Sequence, residues 1–296
     1  MFKSLICLPL VATIAMAAST YSASAQAFDA SSVKLDEALA SRVPAKIKSA
    51  GALTIGSDTS YAPWEFLSEK DGQTPEGIDV DMANAIGKKL GLKIEYQTSA
   101  FDAILPALGS KFDLGMSAFT ITNERMKVVN FISYYRGART WLVRAGNPTK
   151  FDAANICGTK LAIQSGTSQE KAVIKISDEC VAGGKAAVEM LSFKSQPEAQ
   201  TRVAAGGADA TIAGGAQIAY AAQQSKGLLE TIPAVGEIVR PGQNGIAVNK
   251  ADMELAQLVA DTMNSLIADG TYGKVMAAWG QAVTFDKAEI NPVVEN

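Results

Sequence analysis

The sequence predicts an α/β protein made of two successive sheet-and-helix units. Short apolar runs of strand length alternate with stretches whose apolar residues recur at helical spacing. That alternation runs from Leu53 to Met116 and restarts at Lys160. Hydrophobic residues make up 48% of the 296, ample material for two buried cores. Strands that alternate with helices imply mostly parallel sheets covered by those helices.

The elements follow in order. The first 27 residues read as an export leader: Lys3 supplies a charge, Leu5 to Ala18 an apolar core, and Ala23-Ser24-Ala25 or Ala25-Gln26-Ala27 a small-residue cleavage site. The apolar core is short for a membrane span. Residues 28–50 form a lead-in with helix-like spacing of Val33, Leu35, Leu39 and Val43. Leu53 to Gly56 is a strand, Ile78 to Leu90 a helix ending at Gly91, and Lys93 to Tyr96 a strand. Phe101 to Leu108 reads as a helix, Phe112 to Met116 as a buried strand, and Thr122 as the N-cap of a helix through Val129. In the second unit Lys160 to Ile163, Asp209 to Ile212 and Gly245 to Val248 read as strands. Helices are expected at Ser168 to Ile176, Gln196 to Ala205, Ala216 to Gln224 and Met253 to Ala268.

Composition excludes several functions. A net charge of −3 without a basic run argues against nucleic acid as a partner. The chain has no histidine, which removes Ser-His-Asp and Cys-His catalysis and most catalytic zinc sites. No metal or cofactor is implied. Beyond the leader, Cys157 and Cys180 remain, an even pair that invites a disulfide after export.

One stretch is built to hold a carboxylate: Ser117-Ala118-Phe119-Thr120-Ile121-Thr122-Asn123-Glu124-Arg125. Ser117 and Thr120 offer donors where a strand ends, and Arg125 offers a rigid fork matching a carboxylate in two-point geometry. Open α/β sheets place ligands at such strand ends. A second candidate is Gln164-Ser165-Gly166-Thr167-Ser168-Gln169-Glu170, where Thr167 and Glu170 fit a capping box and a helix start presents amide donors. Asp79 and Asp81 read as first-turn acids favoured by the helix dipole, and Glu65 as structural.

From these motifs, together with Asp58-Thr59-Ser60-Tyr61-Ala62-Pro63-Trp64-Glu65, Gly77-Ile78-Asp79-Val80-Asp81 and Ala268-Asp269-Gly270-Thr271-Tyr272, the chain resembles the extracytoplasmic solute-binding proteins of polar amino-acid and opine ABC importers, typified by the histidine and lysine/arginine/ornithine binding proteins. The resemblance spans Gly51 to Val283. It implies a two-lobed periplasmic binding protein fold, each lobe a mostly parallel sheet flanked by helices, with two hinge crossings near Gly137-Ala138-Arg139 and Pro241-Gly242-Gln243. Lobe 1 would comprise 51–137 plus 243–285, lobe 2 would comprise 138–242, and 286–296 would be a tail. It further implies a periplasmic monomer without enzymatic activity that hands a small amino-acid-like ligand to an inner-membrane ABC permease. The resemblance implies that Arg125 holds the ligand carboxylate, aided by Ser117, Thr120, Thr167 and Ser168, with Ala118, Gln164, Gly166 and Gly214 also at ligand-binding positions. Asp58 would meet the ligand's positive end, while Tyr61, Trp64, Phe101 and Phe119 line its body.

One departure matters. Relatives that bind ordinary α-amino acids carry an acid at the position of Gly214, where it pairs with the α-ammonium. Here Gly214-Gly215 follows the strand. Either the ligand lacks a free primary ammonium, as in opines and other N-substituted amino acids, or Asp58 or Glu65 pairs with it in a shifted pose; the first is favoured. The alternative function is a cyclohexadienyl dehydratase-like enzyme, with Glu65 or Asp58 as its acid.

Overall fold

A computed structural model describes residues 27–239, 242–282 and 285–294. The expected leader, Ala27 apart, lies outside these residues, as do Pro241 of the second crossing and parts of the C-terminal tail.

The lead-in forms two short helices rather than one, α1 (Glu37–Ser41) and α2 (Ala45–Ala50). Pro44 divides them because it has no N–H to donate and disfavours helical geometry at Val43. Leu39, Val43 and Ile47 are buried, whereas Leu35 is 47% exposed.

The first unit then runs β1 (Ala52–Ser57), β2 (Ser60–Tyr61), β3 (Glu65–Leu67), β4 (Pro75–Glu76), α3 (Ile78–Leu90), β5 (Lys93–Thr98), α4 (Phe101–Ile104), β6 (Leu114–Gly115), α5 (Asn123–Met126) and β7 (Val129–Gly137). The second follows as β8 (Arg139–Arg144), β9 (Lys160–Gln164), α6 (Ser168–Ala182), β10 (Glu189–Phe193), α7 (Gln196–Ala204), β11 (Ala210–Gly214), α8 (Gly215–Gln224) and β12 (Leu229–Pro233). The chain closes with β13 (Gly242–Asn249), α9 (Met253–Ala268) and α10 (Thr271–Ala278).

Two five-stranded sheets result, ordered β5-β1-β6-β13-β7 and β10-β9-β11-β8-β12, with a small sheet β2-β3-β4 beside the first. In each large sheet one strand (β13; β8) runs against the other four and separates a parallel run (β5-β1-β6; β10-β9-β11) from an edge strand (β7; β12). Both faces are covered. In the first lobe, α3 and α9 pack with Ile55, Ile132 and Ile246 on one face, and Ile104, Phe112, Phe119 and Phe131 fill the other. Two further clusters, around Trp141 and Ile163 and around Leu142 and Val203, do the same for the second lobe. Sheets buried on both faces read as continuous apolar runs, which is why β7 escapes a search for alternation. The helix expected through Val129 stops at Met126 because β7 claims Val129 for the sheet. The expected helix over Phe101 to Leu108 becomes one α turn and a tight turn through Pro106. Only Ala138 separates β7 from β8, and Gly137 pairs with Gly242 on β13, so the chain passes between lobes on two neighbouring strands.

A buried polar network fixes the end of β6. Asp79 and Glu65 are each 1% exposed. Asp79 accepts from the Tyr134 hydroxyl at 2.5 Å and from the Ala118 amide at 2.9 Å. Glu65 accepts from Ser117 Oγ at 2.7 Å, and that Oγ accepts from the Asp58 amide at 3.0 Å. Ala118 is held at φ +45°, an unusual conformation for a residue with a β-carbon. Asn244 Nδ2 secures its carbonyl from the other side. Asp81 accepts from the Phe28 amide and Trp279 Nε1, both at 2.7 Å. The first-turn acids of α3 are therefore tertiary anchors more than dipole partners. Burial pushes the Asp79 carboxyl from 3.8 up to about 6, and burial with the neighbouring Asp79 charge raises Glu65 well above the usual carboxylate range.

Cys157 and Cys180 form a disulfide, joining the segment before β9 to the end of α6 across a separation of 23 residues. Replacing both by Ser should lower the unfolding free energy by about 3 kcal/mol. An unshifted urea midpoint would show that the link adds nothing. A second prediction follows from Asp79. It binds its proton more tightly in the fold than in the unfolded chain, so its contribution to stability is present near pH 4 and declines as pH rises towards about 6. Asp79→Asn should remove this decline. Equal pH slopes of denaturation for parent and variant across that window would refute the assignment.

Candidate functional site

The site begins where β6 ends. Thr122 Oγ1 accepts from the Arg125 amide at 3.2 Å, which caps α5 and sets the direction of the arginine. The guanidinium lies over the rings of Phe101 and Phe119, 5.5 and 5.6 Å from their centroids, and those rings stack at 4.8 Å. Its Nη1 donates to the Thr120 carbonyl at 2.8 Å and its Nη2 to the Gly166 carbonyl at 2.9 Å, on the opposite lobe. Burial pulls its pKa down to about 10; Glu124 opposes that shift and the like charge of Arg139 adds to it. Among the described residues no carboxylate forms an ion pair with Arg125 or Arg139. A part-buried cation whose protein partners are neutral carbonyls is incompletely compensated, and an anion in the cleft would complete its shell.

The second lobe presents the turn between β9 and α6. Gly166 has φ +75°, and a β-carbon there would lie 2.7 Å from Asp102 Cβ of the first lobe. Glycine is required both for the turn and for the approach of the lobes. Thr167 Oγ1 accepts from the Glu170 amide at 3.0 Å, but the Glu170 carboxylate reaches back to the Gly166 amide at 2.7 Å, one residue earlier than a capping box predicts. Besides Arg125, further contacts clasp the lobes: Gln164 Nε2 donates to Asp58 at 2.7 Å, the Gly214 amide donates to the Tyr61 hydroxyl at 3.2 Å, and Lys171 forms an ion pair with Glu124 at the rim.

Two adjoining cavities occupy the cleft, sharing Tyr61, Ala118, Thr120 and Gln169 in their walls. Of the residues expected from the sequence, Tyr61, Phe101, Ser117, Ala118, Thr120, Arg125, Gln164, Thr167 and Ser168 line the first cavity. Trp64 and Gly214 line the second. Asp58, Phe119 and Gly166 line neither. Asp58 is buried, bonded to Ser60 Oγ at 2.7 Å and to Gln164, and burial raises its pKa; it clasps the lobes instead of facing the space between them. Phe119 is fully buried behind Arg125, and Gly166 contributes its carbonyl. Ser117 reaches the first cavity with its hydroxyl already engaged by Glu65 and Asp58. Trp64 is largely buried against Tyr134 and Tyr135.

Arg139, Gln169 and Asn244 also line the cleft, though sequence reasoning did not assign them to it. Arg139 was legible only as part of a crossing segment. Its placement depends on the register of β8 against β11, where it stands opposite Gly214. Among the described residues no acid lines either cavity.

Comparison with known proteins agrees with this geometry. Residues 53–282 match the family described as bacterial extracellular solute-binding proteins, family 3. The arginine-binding protein ArgT of Corynebacterium glutamicum is 31% identical over 252 residues, covering 84% of this chain and 81% of that protein. Among solved structures, an ancestral arginine-binding protein bound to arginine superposes with a TM-score of 0.69 at 31% identity, covering 78% of this chain and 98% of that one. The ancestral amino acid-binding protein AncCDT-1, a precursor of cyclohexadienyl dehydratase, superposes with a TM-score of 0.68 at 32% identity, covering 79% and 97%.

Proposed function

Because this chain belongs to the family 3 bacterial extracellular solute-binding proteins, we propose that it is the ligand-capturing component of an ABC importer. It is exported by its N-terminal leader, works in the periplasm as a monomer, and passes a carboxylate-bearing amino-acid derivative to an inner-membrane permease. Its two lobes comprise 51–137 with 243–285, and 138–242. The observation that carries the reading is Arg125: a part-buried guanidinium at the lobe junction, fixed by Thr120 and Gly166, lining a cavity without any carboxylate to neutralise it. The ligand carboxylate completes that charge, with Thr120, Thr167 and Ser168 around it. A ligand that touches both lobes favours the closed form, which is the form a transporter reads.

The cavities also bear on the rest of the ligand. A free α-ammonium entering them would find no acid, and a buried ammonium without a partner is costly. An N-substituted amino acid of the opine type therefore fits better than an unmodified one. Arginine, named for two of the relatives above, would bring two cationic groups into a cleft already holding Arg125 and Arg139. The enzyme reading is weaker, since Asp58 and Glu65, the acids it needs, line neither cavity.

Arg125→Ala should weaken ligand binding by roughly a hundredfold or more while the fold melts cooperatively, because a charge-assisted anchor is lost. Calorimetric titration of parent and variant checks this; equal affinities would dismiss Arg125 as the anchor. Gln164→Ala removes the bond to Asp58 and should weaken binding of the same ligand by about tenfold through a less stable closed state.

A further inference from the structure

We propose that Arg139 is a second anion site, so that the captured molecule carries two carboxylates, one on the amino-acid backbone and one on the substituent of its nitrogen. This rests on the reading of Arg125 as the anchor for the first carboxylate. Arg139 lies in β8 and lines the second cavity. Its described partners are both neutral: the Ile238 carbonyl at 3.3 Å and Ser168 Oγ at 3.0 Å. In the antiparallel ladder of β8 and β11 it pairs with Gly214, and residues paired in this way project to the same face. A side chain at that position would cover the arginine. Glycine leaves the space open, with only the Tyr61 hydroxyl, at 3.5 Å, near the place of its missing β-carbon.

The start of α8, ten residues long, lies beside this space. Gly214, Gly215 and Ala216 line the same cavity, and the amides of a first helical turn carry partial positive charge. The two cavities share Tyr61, Ala118 and Thr120, so the spaces beside Arg125 and Arg139 adjoin. The arginines also sense each other: the charge of Arg139 helps to depress Arg125, after burial. A dianion lying between them relieves both desolvation and repulsion. A monoanion relieves only part.

The test uses the mature protein and calorimetric titration with L-arginine and L-glutamine, each as the free amino acid, the N-ethyl form and the N-carboxymethyl form. The parent should bind an N-carboxymethyl form about 10–100-fold more tightly than its N-ethyl counterpart, the gain of one charge-assisted contact. Arg139→Gln should bring that ratio to within about twofold of unity. Gly214→Asp, whose side chain the open space accommodates, should do the same by covering Arg139, and it keeps the test decisive if Arg139→Gln does not fold. Equal binding of the two N-substituted forms by the parent, or a ratio that survives both variants, overturns the second site. If Arg125→Ala still abolishes binding in that case, the carboxylate anchor stands alone. Failure of every member of the series to bind overturns both.

Discussion

A guanidinium removed from bulk water without a carboxylate partner is the constraint around which this cleft is organised. Arg125 is held from below by stacked phenylalanines, from its own lobe by the Thr120 carbonyl, and from the other lobe by the Gly166 carbonyl. Carbonyl dipoles and ring faces offset part of the desolvation, and each cation–π contact contributes only about 0.5–2 kcal/mol. Arg125 sits where the lobes meet, and its Nη2 bond to the Gly166 carbonyl ties them together.

Closure in turn depends on small residues as much as on polar ones. Gly166 allows the β9–α6 turn to approach within contact of Asp102, and Gly214 offers its amide to Tyr61 without a side chain in the way. Asp58 and Gln164 form a further link, which explains why Asp58 is buried and bonded rather than directed into the cavity. These clasps, with the Lys171–Glu124 ion pair at the rim, are of modest individual strength, each about 0.5–1.5 kcal/mol for a neutral hydrogen bond and more where charge assists.

Beneath the cleft, the strand end that carries Ser117 and Ala118 is held from the protein interior. Asp79 and Glu65 bind the backbone and hydroxyl of that turn, and Tyr134 and Asn244 hold it from β7 and β13. The positive φ of Ala118 persists because these partners over-determine it. Buried carboxyls close to a binding site are easily taken for catalytic groups. Here their geometry assigns them to positioning, since Asp79 is engaged by the Tyr134 hydroxyl and the Ala118 amide, Glu65 by the Ser117 hydroxyl, and neither residue lines a cavity.

Local chemistry made much of this legible from residues alone. The spacing of α3, α7, α8 and α9, the Thr122 and Thr167 caps and the cysteine pair all depend on contacts within a few turns of chain or on residue type, and the fold class follows from them. What stayed hidden depends on long-range placement. Strand β7, buried on both faces, shows no alternation to read. Asp58 resembles a ligand contact until Gln164, 106 residues away, is seen to occupy it. Arg139 looks like a linker residue until the register of β8 and β11 sets it opposite Gly214. Sequence by itself determined which groups could hold a carboxylate, because that is a property of the groups. Tertiary structure alone decided which of them face the cleft and which are spent on each other, because a hydrogen bond already made inside the protein is no longer available to a ligand.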